Sequence, residues 1–105
     1  MLRIHAVVIE MLKRLKTVIV EIEVHDRDLA RQLKKASTSV ALNLSEGSGS
    51  RGGTRQARYD NALGSAKEVS GCLDSALAFG YVDSLDAELL DHVDHVRAVL
   101  VKLVR

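Results

Sequence analysis

The chain has 105 residues, enough for one domain but not for two. It has no Pro or Trp and a single Phe among abundant Leu, Val and Ala, which favours helices packed on helices over a β-sandwich. Its 15 Lys and Arg nearly balance 14 Asp and Glu, which excludes a strong general attraction to nucleic acid or membranes.

The first predicted element is a helix from about Leu2 to Val24. Its apolar residues follow the alternating three- and four-residue spacing of a heptad repeat, and further apolar residues widen the stripe toward a second neighbour. Polar and charged residues interrupt the apolar run, so we expect neither an export signal nor a membrane span. The predicted core positions are Ile4, Val8, Met11, Leu15, Val18 and Ile22.

The second predicted helix extends from about Arg27 to Glu46, with Asp26 as its N-cap. Asn43 falls in the core phase of this helix, where an apolar residue is expected. A buried amide is costly unless it is hydrogen-bonded, so we expect Asn43 to specify how the helices pack. The predicted core positions are Leu29, Leu33, Ala36, Val40 and Asn43.

The glycine-rich connection from Gly47 to Gly53 contains the pattern G-x-G-x-x-G. A dinucleotide site would require a strand before this pattern, and here a helix precedes it, so we interpret it as a flexible link that ends the second helix. A weaker alternative is a phosphate site at the start of the third helix, where Arg51, Arg55 and Arg58 gather near the helix N-terminus.

The third predicted helix extends from about Arg55 to Phe79, with Thr54 as N-cap and Gly80 as the stop signal. Cys72 is the only cysteine of the chain, so no internal disulfide forms, and we expect a reducing, cytoplasmic environment. We interpret Cys72 as a packing residue, since no activating base is evident. The predicted core positions are Ala62, Ala66, Val69, Leu73 and Ala76.

Two glutamates near the predicted core raise the question of an acid–base pair. In an antiparallel hairpin that turns near residue 50, Glu46 lies level with Arg55, and Glu68 lies close to Lys34 and Lys35. The two carboxylates are then about 20 Å apart, too far for a hydrolytic pair. We therefore predict no catalytic residue. The predicted structural polar clusters comprise Asn43, Glu46, Ser65 and Glu68.

The fourth predicted helix extends from about Leu85 to the C-terminus, with Asp83 or Ser84 as N-cap. His92 and His95, together with Glu88, share a face and form a weak candidate metal site. A bundle metal site normally takes ligands from several helices, so we favour a solvated acidic face and expect no metal and no cofactor. The predicted core positions are Leu89, Val93, Val96, Leu100 and Leu103.

Short connections place successive helices antiparallel, so residues 1–105 form a single up-down-up-down four-helix bundle, an all-α fold. Charge is uneven along the chain, with a net +4 over residues 1–60 and −3 over residues 61–105. Such an asymmetry can steer partners or align subunits head to tail. The candidate phosphate-binding residues are Arg51, Arg55, Arg58, Lys34 and Lys35.

Several segments resemble one known family in the same order and spacing. Ser39–Gly47 resembles the signature S-I-P-x-N-I-A-E-G of the four-helix-bundle proteins first described as open reading frames in intervening sequences of bacterial large-subunit ribosomal RNA genes. Gln32–Ala36 resembles the family's Q-x-R-R-A, Leu63–Glu68 resembles its A-x-G-S-x-x-E, and Ala78–Val82 resembles its L-G-Y-I. The resemblance covers roughly residues 26–100.

The resemblance implies a bundle that assembles into a ring, commonly a pentamer. It also implies nucleic acid or a nucleic-acid enzyme as a possible partner, because a related protein is the accessory protein of diversity-generating retroelements. This chain departs from the family pattern, with Ala41 in place of the proline and Lys34 and Lys35 in place of the arginines. It is also much less basic than the retroelement proteins, which weakens the nucleic-acid interpretation.

The sequence thus favours a non-enzymatic, homo-oligomeric scaffold or adaptor. The alternative is a nucleic-acid-binding accessory module that contacts phosphates through a basic surface. A metal-dependent enzyme is the least favoured of the three.

Overall fold

The computed structural model describes residues 3–105 and has four helices and no strand within them. This confirms the predicted all-α four-helix bundle, although the predicted first helical residue, Leu2, lies outside the described residues. The helices are α1, Arg3–His25; α2, Arg27–Ser48; α3, Gly52–Ala78; and α4, Ala87–Val104.

Each helix packs on its neighbours in chain order, and α4 closes the bundle against α1. The start of α1 meets the end of α2, where the His5 ring lies 3.1 Å from the Ser48 hydroxyl. The start of α3 likewise meets the end of α4, where the Gln56 amide donates to the Val104 carbonyl at 2.6 Å. These pairings run in opposite chain directions, as antiparallel packing requires.

The core follows the predicted stripes closely except on α2. Most predicted positions on the other helices are buried, whereas Asn43 is only half-buried. Leu44 and Gly47 continue the buried face instead. The helix keeps the alternating three- and four-residue spacing, but its buried face follows a neighbouring row of residues: Ala30, Leu33, Ser37, Val40, Leu44 and Gly47. The prediction that Asn43 lies in the core seam is therefore wrong.

The N-cap prediction is confirmed for α2 and wrong for the two following helices. The Asp26 carboxylate accepts a hydrogen bond from the Leu29 amide at 2.9 Å. Helix α3 begins earlier than expected, with Arg51 rather than Thr54 as N-cap. Helix α4 begins later, with Asp86 as N-cap rather than Asp83 or Ser84, because the chain first packs Leu85 partly against the core.

Glycines act differently at the ends of α2 and α3. Gly80 ends α3 as predicted, with a φ of 72° and the paired hydrogen bonds of a Schellman motif, from Gly80 to Leu77 and from Tyr81 to Ala76. Gly47 does not end α2; it lies inside the helix and is buried. Within residues 3–105, none of the helices is both long enough and apolar enough to cross a membrane.

Candidate interaction surface

Helices α2 and α3 approach closely near the loop that joins them, and Gly47 makes this approach possible. A Cβ added at Gly47 would lie 2.5 Å from Cε1 of the buried Tyr59 ring. Such contacts essentially never occur in proteins, so the absence of a side chain at residue 47 sets the register of the hairpin.

A groove of about 540 Å³ lies beside this contact, on the outer side of α2 and α3. Its floor is mainly aliphatic carbon, and Leu42 on its wall is 57% exposed. Much of the resemblance segment Ser39–Gly47 thus lines a surface groove rather than the core. The lining residues are Arg31, Lys34, Lys35, Thr38, Ser39, Leu42, Asn43, Glu46 and Arg58.

A hydrogen-bonded chain of three polar side chains joins α2 to α3 at this groove. The Asn43 amide nitrogen donates to the Ser39 carbonyl and hydroxyl oxygens, both at 3.0 Å. The Ser39 hydroxyl is 2.8 Å from the Ser65 hydroxyl. Two members of the predicted polar clusters, Asn43 and Ser65, are therefore connected through Ser39. Ser39 lies one helical turn before Asn43 in the sequence, and this spacing could have predicted the contact between them.

The second polar contact at the groove joins Glu46 to Arg58 at 3.0 Å. The sequence analysis predicted that Arg55, not Arg58, lies level with Glu46. The predicted register of α3 against α2 was therefore wrong by about one helical turn. The Gly47–Tyr59 contact accounts for this shift. Both side chains of the ion pair are largely exposed, so solvent screens their attraction.

The three candidate arginines of the loop do not converge on one anion site. The Arg55 guanidinium donates to the Ser50 carbonyl at 2.8 Å and to the Gly47 carbonyl at 3.3 Å, and so satisfies acceptors at the end of α2. Arg58 pairs with Glu46, and Arg51 is the exposed N-cap of α3 without a side-chain capping bond. The start of α3 is therefore not arranged as a phosphate cradle.

Lys34 and Lys35 are exposed on α2 and line the groove. The sequence placed them beside Glu68, yet in the part of the chain that the structure describes Glu68 forms no ion pair with either lysine. Both ammonium groups are thus available at the surface, and Arg31 and Arg58 line the same groove.

The environment of Cys72 matches that of a packing residue. The side chain is buried, and this burial raises the pKa of the thiol, with a further contribution from the negative charge of Glu68. The thiolate is the nucleophilic form of cysteine, so both effects suppress reactivity.

The weak metal candidate on α4 is not formed. Among residues 3–105, no group of three His, Cys, Asp or Glu side chains is placed to hold a metal ion. The Glu88 carboxylate instead pairs with Arg14 of α1 at 2.6 Å, and the His92 ring lies 2.6 Å from the Glu88 carbonyl oxygen. His95 lines a small groove with Val7 and Val99, on the side facing α1.

Comparison with known proteins supports the fold described above. The model of a family described as 23S rRNA-intervening sequence protein matches residues 5–102. No curated protein matches this chain. A crystal structure of a protein of unknown function from the S23 ribosomal protein family, from Bacteroides thetaiotaomicron VPI-5482, has a TM-score of 0.82 at 13% identity, covering 97% of this chain and 98% of that one. At this identity the likeness shows the fold alone.

Proposed function

This chain belongs to the 23S rRNA-intervening sequence protein family, and we propose that it acts as a non-enzymatic scaffold or adaptor that assembles into a homo-oligomeric ring. We propose a ring of five subunits, the number that the resemblance at Ser39–Gly47 implies. The role of such an assembly is to present identical surfaces to a partner several times over, so that modest contacts add through avidity.

The observation that carries this proposal is large apolar surface left uncovered by the bundle. Leu42 is exposed in the α2–α3 groove, Leu77 and Leu90 are each 39% exposed, and Val20, Val24 and Phe79 are 62%, 79% and 71% exposed. The four helices do not bury these side chains against one another, and exposed large apolar side chains are a feature of interaction sites. Contact between subunits covers such surface without requiring any ligand.

The polar groups of the groove support a binding role rather than catalysis. Asn43 and Ser65 each form a hydrogen bond with Ser39, and Glu46 forms an ion pair with Arg58. The buried Cys72 has a raised pKa, the opposite of what a nucleophile needs.

Light scattering coupled to size-exclusion chromatography tests the assembly. We expect a mass of several subunits at micromolar concentration. Leu90→Glu, at an exposed apolar position of α4, should shift it toward the 11.5 kDa monomer, because the carboxylate would lose its hydration in the subunit contact. Thr17→Glu is the matched control, since Thr17 is exposed on α1 and lines none of the grooves described. A stable wild-type monomer would refute the proposal.

The cations of the α2–α3 groove favour a second candidate function, the binding of nucleic acid through its phosphates. Arg31, Lys34, Lys35 and Arg58 line the groove against one acidic residue, Glu46. The sequence favoured Arg51, Arg55 and Arg58, but Arg55 and Arg58 already have partners, so the lysines are the better candidates. Tyr59, the aromatic residue beside the groove, is buried, so the contacts would be phosphate-driven and tolerant of sequence.

A salt titration of binding to unrelated DNA and RNA oligonucleotides tests this second function. We expect the double variant Lys34→Gln, Lys35→Gln to have a shallower slope of log K against log salt. The decrease should correspond to the loss of about two phosphate contacts. Lys67→Gln with Lys102→Gln, which changes two exposed lysines outside the groove, should leave the slope unchanged. Absence of binding at about 50 mM salt would remove this function.

A further inference from the structure

The order of the helices gives the bundle two opposite long faces. Because α1 packs on α2 and α4, and α3 packs on α2 and α4, the α1–α2 face and the α3–α4 face point in opposite directions. The two faces differ in charge and in shape, and the α1–α2 face shares Arg31 and Lys34 with the α2–α3 groove discussed above.

The α1–α2 face is basic and grooved. Two grooves of about 330 and 320 Å³ run along it, with Leu12 and Ile19 in their floors. Glu23 is the acidic residue that lines them, and Asp28 pairs with Arg31 at 2.9 Å. The cations lining the two grooves are Lys13, Lys16, Arg27, Arg31 and Lys34.

The α3–α4 face is acidic near its middle and carries protruding apolar side chains. Asp74 and Asp94 line a shallow groove of about 110 Å³, and Asp91 lies one turn before Asp94. Leu77 and Leu90 are each 39% exposed beside these aspartates. The cations of this face are Arg97, which donates to the Ser70 hydroxyl at 3.4 Å, and Lys67, two turns before Asp74 on α3.

The charges at the centres of both faces lack partners within the chain. Over the described residues, the five ion pairs include none of Lys13, Lys16 and Lys34, and none of Asp74 and Asp94. We propose that the basic α1–α2 face of one subunit receives the acidic α3–α4 face of a second copy, with Leu77 and Leu90 entering the apolar grooves between the lysines. This inference rests on the proposed homo-oligomer and names the surfaces that form it.

Charge and geometry together exclude a two-fold version of this contact. A two-fold dimer would place the basic face against itself, where the lysines repel. A contact between two different faces is head to tail. It closes into a ring when each subunit is rotated from the previous one by a whole fraction of a full turn, without a shift along the rotation axis. With principal extents of 42 × 24 × 19 Å, a long side of the molecule is large enough for the ~800 Å² per partner that stable interfaces bury.

Charge reversal on each face tests the pairing. We expect Lys13→Glu with Lys16→Glu, and separately Asp74→Lys with Asp94→Lys, to raise the dissociation constant of the assembly by about tenfold or more. The variant carrying all four changes has both faces exchanged in sign and should assemble again. A one-to-one mixture of the two reversed proteins should form mixed complexes, because a contact between the two kinds of chain joins faces of opposite charge. A ring with an odd number of subunits would keep one like-charged contact, so mixed complexes rather than closed rings are the expected product.

Lys102→Glu with Arg105→Glu is the matched control, since it makes the same charge change at exposed positions outside both faces. Circular dichroism verifies that every variant is folded, and sedimentation velocity gives the assembled fraction. The face pairing is wrong, while the homo-oligomer stands, if the wild type assembles and the charge reversals do not weaken that assembly. It is also wrong if neither the variant with all four changes nor the mixture regains assembly. A wild-type monomer would remove the homo-oligomer and this inference together.

Discussion

Gly47 sets the closest approach of α2 and α3 because an added Cβ would overlap the buried ring of Tyr59. We expect Gly47→Ala to lower the free energy of unfolding by about 1–3 kcal/mol, since the ring is buried and a displaced ring must shift its neighbours. Urea denaturation monitored by circular dichroism measures the change.

Gly64→Ala is the matched control for this substitution. Gly64 lies inside α3 and is exposed, and an added Cβ there meets no atom within 4 Å. Alanine is the better helix former, so the control should raise the free energy of unfolding by about 0.5–1 kcal/mol. Destabilisation of similar size in both variants would contradict a specific clash at Gly47.

Tyr81 joins the ends of the two hairpins at the base of the bundle. Its ring stacks on His25 at 5.4 Å between centroids and on Phe79 at the same distance. Its hydroxyl donates to the Asp26 carboxylate at 3.2 Å. Partial desolvation, followed by the negative charge of Asp26 and this hydrogen bond, raises the pKa of Tyr81.

Because the raised pKa favours the neutral phenol in the folded state, the contribution of this contact to stability is complete below the ordinary tyrosine pKa of about 10. It is lost as pH rises through the folded-state pKa. We expect absorbance titration in a Tyr59→Phe background to show Tyr81 ionising later than free tyrosine. Asp26→Asn should bring the pKa of Tyr81 back toward its ordinary value, while Asn still caps α2. An unchanged titration in Asp26→Asn would contradict the role of Asp26.

At the scale of the helices, the hydrogen bonds from Asn43 through Ser39 to Ser65 connect α2 to α3 beside the groove. We expect Asn43→Leu to leave the helices formed but to change the mass of the assembly, because it removes these bonds and adds apolar surface beside Leu42. Circular dichroism and light scattering measure the two effects separately.

Asn61→Leu makes the same chemical change at an exposed position of α3 that does not line the groove. We expect it to leave the mass unchanged. An unaltered mass in Asn43→Leu, with equal or lower stability, would show that the polar chain does not determine arrangement.

For the whole molecule, assembly links stability to concentration. A protein that unfolds from an oligomer gains stability as its concentration rises, because unfolding releases several chains. We expect the thermal midpoint of the wild type to rise when its concentration increases tenfold, and that of Leu90→Glu to rise less. Differential scanning calorimetry measures both. Midpoints that do not depend on concentration would argue against the oligomer.

The sequence alone determined the fold of this protein to a large extent. Apolar spacing located all four helices, Asp26 and Gly80 were recognised as a cap and a stop, and the signature at Ser39–Gly47 identified the family. These features are local or periodic, so neighbouring residues along the chain are sufficient to reveal them.

Only the tertiary structure decided where the signature residues lie and what they contact. The close approach of Gly47 to the Tyr59 ring sets the hairpin register, and in that register Glu46 pairs with Arg58 rather than with Arg55. The row of α2 that faces the core passes through Leu44 and Gly47, which leaves Asn43 in a groove instead of the core. Such contacts depend on the packing of residues distant in sequence, which no local pattern specifies, and the same packing sets the basic and acidic faces on opposite sides of the bundle.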